Sequence, residues 1–355
     1  GRRVAGRRVA GRRVAGRRVA GRRSRSEQVL APMTVNTPMT IALLSSLAAV
    51  RSTPCELPGN AEFVSTKTGL RMAVRRGGDI VSDTIRKTGV WEVHPWKALE
   101  PFMSPQTVFV DIGANIGWHT LNLARRGHDV VAFEPFASNI AMLNASLCAN
   151  PSLVNRTLVK AHGLSNSAAR CDLFQIPSIN FGDTVSVCDG GSYVQQKEAV
   201  QKQLSNSCRR HCHRRADGCA GCASVQKLGE FRAYQLDDVV DESLLRAEKA
   251  VKMDVEGHEY KVLLGAERFF TQGNPPRAVY AEVFQLGAHR SSFFAKLKEW
   301  GYDTKAQAKD REALFVRAVG AVNSQKALTA NRAHGVAHAR RKVRWACQFS
   351  ALFAC

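Results

Sequence analysis

Two periods of apolar residues alternate along the middle of the chain. Short apolar-rich runs at 107–112, 129–134, 250–254 and 277–283, with a further strand candidate at 153–162, have the length of strands buried on both faces. Stretches with helical spacing lie between them: the run after Gly117, residues 136–147 with Ile140, Leu143 and Leu147 on one side, then 260–270 and 289–300. Strands alternating with helices specify an α/β fold, a mostly parallel doubly wound sheet with helices on both faces. Before this pattern, residues 62–85 read as short strands around the turn signals Thr68-Gly69 and Gly77-Gly78, an N-terminal β annex. Trp91 and Glu92 open a helix or turn closed by Pro101 and Pro105. Residues 168–176 form a further extended segment. Residues 182–228 interrupt the pattern, 231–240 restore a strand and then a helix, and 312–317 supply a final strand.

The stretch VFVDIGANIGWHTL, residues 108–121, is the one around which the chain is organised. A buried strand ends at Asp111, a turn runs through Gly113, Ala114, Asn115 and Gly117, and a helix follows. Glycines let the backbone turn sharply and approach a ligand, and a helix start directs free N–H groups into such a turn. This is the layout of a nucleotide-type site at the carboxyl edge of a sheet. The dinucleotide fingerprint is Gly-x-Gly-x-x-Gly, whereas the spacing here is Gly-x-x-x-Gly with Asp111 two residues before the first glycine. A carboxylate there repels a pyrophosphate and suits a cationic ligand such as S-adenosylmethionine. The second strand ends in Glu134, about one strand–helix–strand unit after Asp111, where an acid can accept hydrogen bonds from both ribose hydroxyls or simply remain a solvated strand end. Phe136 either covers an adenine or belongs to the core.

Charge changes the picture only once it is located. The net charge is +21, but residues 1–25 carry eleven Arg and residues 319–355 carry six Lys or Arg, both without acids, which leaves +4 for the middle. The folded part therefore carries no nucleic-acid signature, and no specific nucleic-acid partner is expected. The first 20 residues are GRRVA repeated four times, a five-residue period that buries nothing. Residues 1–38 read as a low-complexity, disordered tail, either a nonspecific binder of RNA, acidic lipid or acidic protein, or the product of an extended reading frame. Residues 41–50 are the one N-terminal apolar run, too short for the ~20 residues of a membrane span. Within 39–54 they suit a signal or transit segment, and hence the secretory pathway or an organelle, or an ordinary buried helix. The expected organisation is then an annex and helical lead-in over 55–106, a main domain over 107–318 with an insert at about 182–228, and a basic tail over 319–355.

The motifs VDIGANIGWHTL, VVAFEP followed by LNASL, LDDVV and VKMDVEGHEYKVLLGA occur in order between about Trp91 and Arg317. Together they resemble the FkbM-type S-adenosylmethionine-dependent methyltransferases. The resemblance implies a Rossmann-like methyltransferase fold, S-adenosyl-L-methionine as cofactor, and O-methylation of small molecules, sugars, glycans or lipids. Glu92 suits the Glu-bearing segment that family members often carry before the glycine motif. The implied cofactor residues are Glu92, Asp111, Gly113, Ala114, Asn115, Gly117, Glu134 and Phe136. The insert and both basic termini depart from the family pattern.

Methyl transfer to a hydroxyl requires alignment, exclusion of water and removal of a proton. The strand at 250–254 points its carboxyl end at the methyl group, so Asp254 is assigned to the centre of the site, Glu256 to a supporting position and His258 to the base, or else to a surface helix start. Related methyltransferases of another architecture hold Mg²⁺ with an acid at this strand end, and Asp254 with Glu256 could do the same, but one such pair does not define a metal site and no catalytic metal ligand is assigned. In the insert, Cys208, Cys212, Cys219 and Cys222 can hold structural Zn²⁺, form disulfides, or remain free in a loop. The other six cysteines are scattered and indicate no compartment. Two further readings stay open: a nucleotide-dependent enzyme of another class, such as a dehydrogenase, and a binding protein that keeps the fold without catalysis.

Overall fold

The computed structural model describes residues 55–175, 184–188, 226–306 and 310–318. The Arg-rich repeats, the apolar run at 41–50, the four cysteines of the insert and the C-terminal tail lie outside these residues. Strands β1 (Ala61–Ser65) and β2 (Arg71–Arg75) pair antiparallel around the Thr68-Gly69 turn, as its turn signal predicts. The second half of the expected annex is instead a helix, α1 (Ile80–Thr88). Asp79 caps its start by accepting a hydrogen bond from the Ser82 amide, and Gly89 closes it in the left-handed region. These capping residues decide between strand and helix where the apolar count does not. Helix α2 (His94–Leu99) then carries Pro95 in its first turn and runs into a 3-10 turn at Glu100–Phe102.

The expected alternation follows: β3 (Val108–Ile112), α3 (Trp118–Arg125), β4 (Val130–Phe133), α4 (Ala137–Ala149) and β5 (Thr157–Lys160). The strand predicted from residue 153 begins later, because Pro151 starts a 3-10 turn over Pro151–Arg156. Next come β6 (Gly163–Leu164), β7 (Ala169–Gln175), β8 (Thr184–Cys188) and β9 (Gln226–Tyr234). Helices α5 (Leu236–Val239) and α6 (Glu242–Arg246) lead into β10 (Lys249–Met253). The helix expected over 260–270 is broken into α7 (Glu259–Leu264) and α8 (Glu267–Thr271). Gly265 stands between them, and a side chain there would collide with the Ser165 carbonyl. The described residues end with β11 (Ala278–Glu282), α9 (Arg290–Glu299), β12 (Tyr302–Thr304) and β13 (Glu312–Arg317).

Seven strands form the central sheet in the order β12-β13-β11-β10-β3-β4-β5. Strands β11, β10, β3, β4 and β5 are parallel, and β13 is antiparallel to β11, so the final predicted strand exists but reverses direction. This is a Rossmann-like α/β fold with a mostly parallel sheet. Successive residues alternate between its two faces. Val110, Ile112, Val251 and Met253 pack with Phe269, Phe270 and Phe293, while Phe109, Val130 and Ala250 pack with Trp118, Leu121 and Leu143. From β3 the chain steps outward through β4 and β5, then returns to β10 on the other side of β3. A crevice opens where connections diverge in this way, at the carboxyl ends of β3 and β10.

A second sheet, β6-β9-β7-β8, joins the ends of the interruption to the fold. Residues 184–188, 226 and 227, expected within the insert, pair antiparallel with β7. Two disulfides are formed among the described residues, Cys55–Cys148 and Cys171–Cys188, so four of the six scattered cysteines are paired after all. The second joins residues directly opposite each other on β7 and β8.

Candidate active site

The glycine turn is fixed by its own hydrogen bonds. Gly113 has φ +83°, and a side chain there would strike the carbonyl oxygen of Asp254, so β3 and β10 converge where only glycine fits. The Gly113 and Ala114 amides both donate to the Phe133 carbonyl, at 2.9 and 3.0 Å. The Asn115 amide donates to Glu134 Oε2 at 2.8 Å, the Ile116 amide to Asn115 Oδ1 at 2.8 Å, and the Gly117 amide to the Ala114 carbonyl at 2.9 Å. Asn115 itself adopts φ +52°, and Gly117 forms the helix N-cap. Five successive amides are therefore satisfied within the protein. The expectation of free N–H groups is corrected for Ile116 and Gly117, whose amides are both engaged within the turn.

Glu134 is the acceptor that closes this arrangement. Besides Asn115 it accepts from the Phe136 amide at 2.9 Å and from Asn139 Nδ2 at 3.2 Å. Burial raises its pKa, and these three hydrogen bonds oppose the rise. Arg75 of the annex donates to Asn139 Oδ1 at 2.6 Å and to Ser138 Oγ at 3.1 Å, which holds Asn139 against the carboxylate.

Asp111 is fully buried and accepts from Thr120 Oγ1 at 2.6 Å. Its other oxygen faces Lys252 Nζ at 3.8 Å, so in this structure its charge reaches the crevice through Lys252. Lys252 also donates to the Gly113 carbonyl at 2.9 Å and pairs with Asp254 at 3.2 Å. Burial alone would lower its pKa, but Asp254 and Asp111 outweigh this and hold the ammonium above its ordinary value.

The segment after β10 turns through Glu256, at φ +56°, and Gly257. Glu259, at the first position of α7, stabilises the turn: Oε1 accepts from the Val255 amide at 2.9 Å and the Gly257 amide at 3.2 Å. Burial pushes its pKa up to about 7. Glu256 accepts from Gln285 Nε2. His258 caps α7, and its Nε2 lies 3.1 Å from Ser165 Oγ. His258 is thus half-buried at a helix start.

One cleft, about 870 Å³ with its open mouth included, is lined by residues of both sheets. Gly113, Asn115, Glu134, Phe136, Asp254, Glu256 and His258 all reach it. Ser186, Cys188, Phe231 and Ala233 of the second sheet form the facing wall with His162. Burial lowers the pKa of His162, whose ring stacks edge-on against Phe133 and Tyr234. Glu92 lies beside the cleft rather than on its lining. Burial and then the Asp254 charge raise its pKa, and its carbonyl accepts from the Trp118 indole at 3.0 Å. The sequence reading missed Asn139, Lys252, Glu259 and Glu282. A lysine inside an otherwise apolar strand and an acid closing β11 were the available signals.

The chain matches the methyltransferase FkbM domain over residues 111–303. No curated protein matches it. Among solved structures, it resembles a Geobacter metallireducens precorrin-6y methyltransferase at 9% identity and TM-score 0.32, covering 69% of this chain and 92% of that one. It also resembles M. jannaschii TYW2 in complex with AdoMet at 12% identity and TM-score 0.31, covering 74% and 89%. A T. thermophilus 16S rRNA methyltransferase with AdoMet and guanosine matches at 12% identity and TM-score 0.35, covering 73% and 50%. At these scores none of the three bears on the acceptor.

Proposed function

Because this chain belongs to the FkbM methyltransferase family, we propose that it is an S-adenosylmethionine-dependent O-methyltransferase acting on a hydroxyl of a small molecule, sugar, glycan or lipid. The observation that carries the choice of cofactor is the satisfied glycine turn beside buried acids. Five amides occupied by protein acceptors leave the turn itself without a free N–H for a pyrophosphate, which disfavours a dinucleotide. A site rich in carboxylates suits a sulfonium and an ammonium.

S-adenosylmethionine supplies a methyl group already activated on sulfur. In this reading Glu134 accepts from the ribose hydroxyls, Phe136 and Asn139 flank the adenine side, and the Gly113–Gly117 turn gives the backbone close approach. Asp111 acts through Lys252, and Glu92 extends the negative field toward the donor's ammonium. Asp254 orients the acceptor, Glu256 supports the turn, and His258 removes the hydroxyl proton. Two disulfides in the folded part support a secretory-pathway location over a reducing compartment. The structural zinc assigned to Cys208, Cys212, Cys219 and Cys222 gains no support, since these residues lie outside the described ones.

Calorimetry of the full chain with S-adenosylmethionine, S-adenosylhomocysteine and NAD tests the cofactor. Binding of the first two and not the third is expected, and Glu134→Ala should weaken both by about tenfold or more. Binding of NAD alone overturns the reading. Transfer of labelled methyl to a panel of hydroxyl acceptors tests the reaction. In the pH–rate profile, a limb near ~6.5 should disappear in His258→Ala, while a parental rate and profile would remove His258 from the mechanism.

A further inference from the structure

Asp254, Glu259 and Glu282 come from three different elements: the end of β10, the start of α7 and the end of β11. One carboxylate oxygen of each lies within 4.8 Å of the other two. Oxygens bound to a common cation at about 2.0–2.6 Å are separated by at most about 4–5 Å, so the trio already has the spacing of a coordination shell. A cluster of acids alone would not define a site, but Glu259 adds a second observation. Its Oε1 is pinned by two backbone amides, while Oε2 is buried without a hydrogen-bond partner. A carboxylate oxygen stripped of water and left unpaired costs free energy that only a proton or a cation recovers.

The ammonium that pairs with this trio is already engaged. Lys252 pairs with Asp254 but is also held by Asp111 and the Gly113 carbonyl. Gln285 donates to Glu256 and makes only a long contact, 3.5 Å, with Glu282. Glu92 adds a further negative charge near Asp254. We infer that Asp254, Glu259 and Glu282 bind one hard divalent cation, of the Mg²⁺, Mn²⁺ or Ca²⁺ type, at the carboxyl ends of β10 and β11. An all-oxygen ligand set selects this class over zinc or copper. The cation lies on the side of the crevice away from Glu134. Its binding stands independently of the methyl-transfer reading; where that reading holds, it adjoins the acceptor hydroxyl.

The test is titration of the full chain, stripped with EDTA, with Mn²⁺ followed by electron paramagnetic resonance. One tightly bound Mn²⁺ is expected, displaced by excess Mg²⁺ or Ca²⁺. Glu282→Gln and Asp254→Asn, checked for folding by circular dichroism, should each weaken it at least tenfold. Absence of a bound ion in the parental protein overturns the inference and leaves shared protons as the means by which the acids coexist. Affinity unchanged in both variants also overturns it, placing the ion elsewhere. S-adenosylhomocysteine binding, measured on the same protein in EDTA, reports separately on the proposed function: Mn²⁺ bound without cofactor binding sinks only the latter.

Discussion

Lys252 stands 3.2 Å from Asp254, and the same ammonium faces the fully buried Asp111 at 3.8 Å. One cation thus joins the strand that carries the glycine turn to the strand that carries the candidate catalytic segment. Removing one partner of a buried ion pair costs about 3–5 kcal/mol because the remaining charge is stranded. Asp254 is a third exposed and loses less than Asp111. Lys252→Met should therefore destabilise the protein by ~3 kcal/mol, read from its urea midpoint, and should weaken S-adenosylhomocysteine binding. An unchanged midpoint would mean that Asp111 is neutral in the fold.

Gly113 and Gly127 both have positive φ, but only Gly113 has a neighbour where a side chain would stand. Gly127→Ala should cost only the backbone strain, about 1 kcal/mol. Gly113→Ala should cost that and also force β3 and β10 apart, giving a loss of at least ~3 kcal/mol together with the loss of cofactor binding. Equal melting temperatures for the two variants would show that the strand ends can separate without penalty.

The strand–helix alternation was legible because the buried strands are short and mostly apolar. The sheet's centre followed from Val108–Ile112 and Val130–Phe133, which are buried almost throughout. What eluded the pattern was decided by local chemistry or by distant neighbours. Asp79 and Gly89 cap a helix where two glycines suggested a hairpin, and the glycine at the helix break, Gly265, packs against the Ser165 carbonyl from far away in sequence. Asp111 was legible as an acid at a strand end, but not its engagement with Lys252, since no local pattern reports which charge lies across a sheet. Glu282 occupies the same kind of strand end as Asp254 and was open to the same argument.

His119 is buried against Trp96, and burial holds its pKa well below the ordinary value near 6.5. Its folded-state pKa is depressed, so below pH ~6.5 the unfolded chain takes up a proton that the folded chain refuses. Stability then rises with pH, and the contribution is lost as the pH falls below that value, at up to ~1.4 kcal/mol per pH unit. His119→Gln should flatten the stability profile between about pH 5 and 6.5. A parental slope in the variant would assign the acid sensitivity to other groups.

Cys55 and Cys148 are separated by 93 residues and tie the start of the annex to the end of α4. Cys171 and Cys188 are separated by only 17. The chain-entropy argument gives about 4.7 kcal/mol for the longer loop and about 3.2 kcal/mol for the shorter. Replacing both cysteines of the first pair by serine should therefore destabilise the protein by ~1.5 kcal/mol more than the same change in the second. The first pair also bears on the site. The annex rests on α4 through the Ala73 amide to Ser146 Oγ at 2.9 Å and through Asn150, which both donates to and accepts from the Arg71 backbone. That contact places Arg75 against Asn139, and Asn139 against Glu134. Loosening it should weaken S-adenosylhomocysteine binding in the Cys55→Ser/Cys148→Ser protein. The Cys171→Ser/Cys188→Ser protein leaves this route to Glu134 intact and should lose less affinity. Denaturation of both variants, non-reducing peptide maps of the parent and calorimetry together check the argument. Equal stability losses would remove the loop-length account, and parental cofactor affinity in the first variant would separate the annex from Glu134.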